Sequence, residues 1–185
     1  MKYDIKHIDY LFALWRKDNR AIAAIEFALV FPILFLMFIG IWDVGNALLV
    51  GQKVIYASQI AADLISREIS VSEGEVEEAV IASQLAIAPF PINDSNFYIE
   101  IISVSFDEDE EAEVVWEYTM DGQPVPDDLV DKAEQLAIAN DGLLVVRVRY
   151  HHEPMFSDMV IGDINIVEEA YVRGRRVPVV GADWI

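Results

Sequence analysis

Glu26 is the only charged side chain in residues 21–42, an otherwise apolar stretch that begins straight after Arg20. A charged group at mid-bilayer costs roughly 2.5–3.5 kcal/mol, so a plain anchor has no reason to keep one. The chemistry open to Glu26 is charge pairing. It either reaches the headgroup interface near the helix N-terminus, where the dipole favours an anion, or meets a cation supplied by protein. In low dielectric the second attraction is strong, and a charge left alone is heavily penalised.

The other reactive side chains promise less. His151-His152-Glu153 is the one concentration of imidazole in a chain with three histidines. Neighbours on a strand point to opposite faces, so these two rings do not readily share a metal, and surface placement is expected. Residues 107–111 are five consecutive acids. They have carboxylates enough for a hard cation but lack the alternating spacing and turn glycine of an EF-hand loop, so a solvated hairpin tip is expected. Arg173, Arg175 and Arg176 form a basic cluster in an acidic region. They pair with carboxylates of their own domain, the favoured expectation, or meet an acidic patch on a neighbour. The sequence has no Gly-rich phosphate loop, no Gly-x-Ser-x-Gly elbow and no His-Glu-x-x-His. We therefore expect no enzyme, no cofactor, no metal and no small-molecule substrate, although carboxylates paired from different strands do not show in a sequence.

Composition narrows the classes further. The 185 residues carry a formal net charge of −19, are 54% hydrophobic and include no cysteine. Thiol chemistry, disulfides and Cys-type zinc sites are excluded. Five Lys/Arg and four acids precede Asp43, whereas eight Lys/Arg and 28 acids follow from there. So acidic a region lacks the Lys/Arg–phosphate contacts that bind nucleic acid, and anionic lipid repels it.

The elements that position Glu26 come from the hydropathy pattern. Residues 21–42 make a helix of about 33 Å, enough for a hydrocarbon core of roughly 30 Å. The uncharged part from Phe27 to Trp42 spans only about 24 Å, so it crosses comfortably when Glu26 lies near the cytoplasmic interface. Arg16, Lys17 and Arg20 place the N-terminus in the cytoplasm. Pro32 removes the amide that would bond to the carbonyl of Ala28, so a kink is expected, either a common membrane-helix proline or a bend that helps the helix leave the bilayer. Beyond Trp42 the helical spacing persists. Val44, Leu48, Gly51, Ile55, Ser58, Ala62 and Ile65 form one stripe, and Val50, Val54, Ala57, Ala61 and Leu64 form a second beside it. One continuous helix over residues 22–66 is predicted, one face covering its own domain and the other meeting neighbouring helices. The alternative is a membrane helix followed by a separate amphipathic one. A secretory cut near Gly45-Asn46-Ala47 would bisect this pattern and is not expected.

The rest reads as a domain of alternating elements. Residues 72–88 are helical and end at Pro89 and Pro91; Phe97 to Phe106 and residues 112–120 are strands flanking the acidic tip. Asp127 or Asp128 caps a helix to about residue 139, the turn Asn140-Asp141-Gly142 leads into a strand over residues 143–152, and residues 163–175 give a fourth. The order α–β–β–α–β–β predicts an α+β domain, an antiparallel sheet with helices on one face. The tail ending in Trp184 and Ile185 either frays or docks.

Around Glu26 the sequence resembles the TadE-like minor pilins, or pseudopilins, of tight-adherence (Tad) pili. Arg20-Ala21, then Glu26-Phe27-Ala28-Leu29-Val30-Phe31-Pro32, then Gly40-Ile41-Trp42-Asp43-Val44-Gly45 match that family's motif in order and spacing. The resemblance implies a pilin-like α+β protein with residues 1–21 as cytoplasmic leader, 22–66 as transmembrane and stem helix, and 67–185 as an acidic periplasmic or extracellular domain. It implies cutting by a prepilin peptidase between Ala21 and Ile22, with Ala21 standing where the family usually has Gly. The new α-amine at Ile22, with an ordinary pKa near 8, would be the cation for Glu26, within the chain or from the next subunit. Glu26 is then the charge-pairing residue of assembly, Pro32 the kink, and Val44, Leu48, Gly51, Ile55 and Ala62 the stem-packing positions. The implied partners are the peptidase, other minor pilins, the major pilin, and the inner-membrane assembly platform. The implied function is to initiate or cap the pilus from the bacterial inner membrane. The alternative is a signal-anchored periplasmic binding domain unrelated to pili.

Overall fold

The computed structural model describes residues 20–156 and 162–184. The expected leader lies outside the described residues apart from its last two positions, and so does Ile185. The chain divides into two compact units, residues 1–42 and 43–185.

In the first unit, helix α1 (Arg20–Ile65) begins and runs on through Pro32. Many of its apolar side chains point outward: Phe27, Leu29, Ile33 and Phe38 are all exposed. Phe27, Phe31 and Phe35 form an i, i+4 row with ring centroids 5.4 and 5.8 Å apart, the first pair tilted and the second stacked. A soluble helix hides such a face; a helix of this length and composition meets the requirements for crossing a membrane.

The second unit contains the remainder of α1, β1 (Ser70–Val71), α2 (Glu73–Ala86), β2 (Phe97–Phe106), β3 (Ala112–Thr119), α3 (Asp127–Glu134), β4 (Gly142–His152), β5 (Ile164–Val172) and β6 (Gly181–Ala182). Ser72 and Glu75 start α2 with a capping box: the Ser72 amide donates to Glu75 Oε2 at 2.8 Å, and the Glu75 amide donates to Ser72 Oγ. The main sheet is antiparallel in the order β3-β2-β4-β5, with Ile101 opposite Val146 and Val146 opposite Ala170. This is the α+β architecture that the element order predicts.

Both sheet faces are covered. On one, Phe97, Ile99 and Ile101 of β2 and Leu144, Val146 and Val148 of β4 pack in one core with Val50, Val54, Ala57 and Ala61 of α1 and with Val76, Ala79 and Val80 of α2. On the other, Ile102, Val104 and Phe106 meet Leu143, Val145 and the α3 residues Leu129 and Ala133. The expectation of helices on a single face is corrected here. The run Leu143-Leu144-Val145-Val146 is apolar on both sides, as in a strand covered on both faces, and the i, i+4 pair Leu129 and Ala133 supplies the second cover.

Element ends also differ from the sequence expectations. The third helix stops at Glu134 rather than near residue 139, its last carbonyls closed by turn bonds from the amides of Leu136 and Ala137. The carbonyl of Leu136 is thereby free to accept from Arg173 at 3.0 Å. Strand β5 ends at Val172 rather than Arg175, because the chain turns so tightly at Gly174 that a Cβ would strike the carbonyl of Val177. After that turn the tail docks rather than frays. Its β6 pairs in parallel with β1, the Val180 carbonyl accepts from Ser103 Oγ at 2.8 Å and Trp116 Nε1 at 2.7 Å, and Trp184 meets Trp116 edge-on at 5.7 Å.

Removing the indole donor with Trp116→Phe is expected to lower the stability of the detergent-solubilised chain by about 1 kcal/mol in urea denaturation, the worth of one net hydrogen bond. Gly142→Ala is expected to cost more, about 1–3 kcal/mol, because its Cβ would lie 2.6 Å from the carbonyl oxygen of Pro178.

Candidate assembly site

Ala21, Ile22, Glu26 and Pro32 all lie on α1. Ile22 and Glu26 are four residues apart, one helical turn, so an amine at Ile22 would emerge about 6 Å along the axis from the Glu26 position. Ile22, Ile25 and Phe27 are exposed, so the carboxylate sits in an outward-facing apolar field. A group placed there has little besides an ion or hydrogen-bond partner to compensate removal from water.

The stem positions separate into three environments. Val44 and Leu48 are exposed, Gly51 and Ile55 are half-buried, and Ala62 is fully buried in the core of its own domain. Ser58 and Ile65, of the same stripe, are buried too. The stripe therefore spirals from an open face near Asp43 into the core near Ile65, as a narrow 3–4 pattern drifts around a helix of 3.6 residues per turn. Val50, Val54, Ala57 and Ala61 of the second stripe are the ones that cover the sheet.

A polar network that sequence reasoning missed lies under α3. Arg147, on β4, has a side chain only 6% exposed. Its guanidinium donates to both carboxylate oxygens of Asp128 in the first turn of α3, at 3.1 and 2.5 Å, and to Glu169 Oε1 on β5 at 2.8 Å. Glu100 of β2, with a side chain 1% exposed, lies 3.5 Å from Arg147 and accepts from Arg149 at 2.6 Å. Burial pushes the Glu100 carboxyl above its ordinary range, and the two arginines pull it back. The bond from Arg147 holds Asp128 low. Burial would raise Glu169, but bonds from Lys132, Tyr171 and Arg147 outweigh it and leave it lowered. The cross-strand pairings Glu100–Arg147–Glu169 are the signal the sequence held, visible only once register is known.

Each of these carboxylates is spent on a cation. Beside them, a groove of about 570 Å³ is floored by Tyr98, Arg149, His151 and Asn165. Arg149 stacks 4.4 Å from the Tyr98 ring centroid, Tyr98 donates to Asp121, and His151 Nδ1 lies 2.7 Å from Asn165 Oδ1. Burial and the bond to Asp121 push the Tyr98 phenol up to about 12. These contacts fix side chains to one another.

His151 and His152 stand on opposite faces, as strand alternation requires. His152 is buried, edge-on to Phe90, and its Nε2 and both oxygens of the buried Asp43 have no hydrogen-bond partner among the described residues. Burial pushes the imidazole below its ordinary range while the Asp43 charge pulls it up and His151 pushes it down. At the acidic tip, Asp107 Oδ1 accepts from the amides of Asp109 and Glu111 at 2.8 and 2.9 Å, closing the hairpin. Among the described residues no group of three or more His, Asp or Glu is placed to hold a metal. The arginine cluster pairs within its own unit: Arg173 with Asp141, Arg175 with Asp63, and Arg176 with Glu68 at 4.0 Å.

Arg147→Met is expected to cost about 1–3 kcal/mol in urea denaturation, because Glu169 and Asp128 each lose a charge-assisted bond while buried Glu100 keeps Arg149. Lys132→Ala, at a half-exposed pair, is expected to cost under about 1 kcal/mol. Asp128 and Glu169 have lowered folded values, so their stabilisation is present above the ordinary carboxylate range near 4 and lost as pH falls through it; Glu100, raised, opposes them. Stability measured between about pH 5 and 3 is expected to fall in the parent and to fall less in Arg147→Met.

No curated protein and no solved structure matched the chain. Residues 21–63, which carry Ile22, Glu26, Pro32 and the stem positions through Ala62, match the family described as TadE-like protein. The segment that carries Glu26 is thus similar to TadE-like proteins, and it is joined to an α+β domain.

Proposed function

We propose that the chain is a minor pilin of a Tad-type pilus. Its N-terminus lies in the cytoplasm and its acidic domain outside the inner membrane. A prepilin peptidase trims it between Ala21 and Ile22. The subunit then joins other minor pilins and the major pilin through helix–helix packing at the assembly platform, where it helps initiate or cap the filament. Its work is structural, with no catalysis of its own.

The observation that carries this reading is the coincidence of the TadE-like match with a 46-residue helix whose apolar run over residues 21–42 holds a single carboxylate. A carboxylate one turn from a new α-amine discriminates height. A subunit entering one turn too high or low leaves both charges unpaired in low dielectric, whereas the correct height pairs them. The exposed Val44 and Leu48 supply apolar surface on the same helix for a neighbour. The density of internal ion pairs in the sheet domain supports a rigid body carried by the stem rather than a reaction centre.

Glu26→Leu is expected to insert in the membrane as before, since it removes a charge, yet to fail in pilus assembly. Leaving the partner cation unpaired at about 3 kcal/mol or more corresponds to a loss above a hundredfold in the incorporation equilibrium. Pili counted by electron microscopy, alongside membrane fractionation, read both outcomes. Parental piliation by a stably inserted Glu26→Leu chain would overturn the role.

A further inference from the structure

The two edges of the main sheet are built differently. At one edge, β3 shifts register against β2 between Ser103 and Val104, leaving Val115 as an extra residue between the paired Val114 and Trp116. A bulge of this kind twists an edge away from further pairing. The end of that strand is also occupied. The Thr119 carbonyl accepts from the Gly122 amide, and Thr119 Oγ1 donates to the Gln123 carbonyl at 2.6 Å.

At the other edge, β5 pairs with β4 from Ile164 to Val172 without a register shift. The phase of the ladder follows from the His151 amide, which donates to the Asn96 carbonyl on the β2 side. Odd-numbered residues of β4 therefore bond toward β2 and even-numbered ones toward β5. Across that pairing Ile166, Glu168 and Ala170 bond inward, while Asn165, Val167, Glu169 and Tyr171 turn their amides and carbonyls to the open side. Among the described residues no other backbone group bonds to them. The same edge borders the groove of about 570 Å³. Tyr98, Arg149 and Val167 are register partners on one sheet face, which α3 covers only from Arg147 toward Leu143. Val167, 48% exposed, is the outermost of the three.

The geometry points to β5 as a docking edge for an extended, basic segment of a partner protein, which adds to the sheet as a further strand. Main-chain bonds to Asn165, Val167, Glu169 and Tyr171 supply affinity, and alternate side chains supply specificity. The charge of the site selects the occupant. Glu168 stands at the midpoint of the strand, and Asp94 and Asp121 line the groove, where Arg149 is already paired with Glu100. A Lys or Arg beside Val167 lays its stem on that side chain and its head at the groove mouth. On the opposite face Ile164, Ile166 and Val172 are half-buried, so the alternate positions of the segment are apolar. A second copy of the chain fits worse. Pairing β5 with itself about its midpoint brings two copies of Glu168 together, in regions with 28 acids and eight Lys/Arg each. This inference uses the sheet domain alone and does not depend on the pilin reading.

Binding is measured by fluorescence anisotropy on the full chain in detergent, with a labelled peptide alternating Lys and Val over 9 residues, the length of β5. One control peptide has Glu in place of Lys. A second keeps Lys but is N-methylated throughout, which preserves the charge and removes the amide donors. Saturable binding of the Lys peptide is expected, weaker by about tenfold or more for either control, as the loss of one or two net hydrogen bonds predicts for the methylated one. Val167→Pro is expected to weaken the Lys peptide by a similar factor with an unchanged circular dichroism spectrum, because the amide it removes points away from β4. Val167→Lys, which keeps the backbone and sets a cation at the groove mouth, is expected to weaken it too. Equal binding of the methylated and unmethylated Lys peptides overturns the docking edge, and so does equal binding by the parent and both variants, or no binding at all. A parent chain that dimerises in analytical ultracentrifugation and becomes monomeric as Val167→Pro assigns the edge to a second copy and overturns the basic occupant.

Discussion

A single carboxylate held in a helix face with almost nothing else polar on it is the constraint from which the account follows. Removing a charge from water is costly, and neighbouring Ile, Phe and Leu side chains offer it no hydrogen bond. Everything proposed for the N-terminal segment answers that one cost. It explains why a cut at Ile22 matters, since the cut creates the missing cation. It also explains why a packed bundle of such helices would have a preferred register rather than sliding freely. An apolar seam alone specifies contact but not height; one pair of opposite charges specifies height.

The second unit solves a different problem. Helix α1 gives it Val50, Val54, Ala57 and Ala61 as one wall of the main core, so the domain cannot be separated from the stem without opening that core. The opposite sheet face is divided between apolar packing under Leu129 and Ala133 and the network centred on Arg147. One arginine joins β4, β5 and the first turn of α3, which fixes how the short helix lies on the sheet. The docked tail adds a second fastening, with Val180 accepting from two strands at once. With no disulfide available, these contacts are what hold the acidic domain in one shape against its own charge repulsion.

What the sequence made legible follows from what is local. The long apolar run, the helix start at Ser72, the strand of residues 97–106 and the hairpin tip at residues 107–111 all depend on neighbours within four positions, and all appear where expected. The internal pairing of Arg173, Arg175 and Arg176 also appears, since an excess of nearby acids made it the favoured outcome. The faces of the sheet were harder. Placing α3 opposite the stem requires knowing that residues 143–146 are covered twice, and periodicity alone does not separate that from a strand with one slip. The Arg147 network was hidden for the same reason: Glu100, Asp128 and Glu169 lie 19 to 47 positions from it, and only strand register brings them together. The pairing of β1 with β6 involves two residues on each side, below any pattern a sequence can carry.

The claim that Glu26 is paired by an α-amine has a direct physical readout in the N-terminus itself. Intact-mass spectrometry of the chain extracted from the membranes of piliated cells, with fragmentation of its first residues, reports where the polypeptide starts. The account predicts a chain beginning at Ile22, with a free amine four residues before Glu26. A chain of native source that still carries residues 1–21 while pili form normally would contradict it, because the cation on which the pairing depends would never have been made.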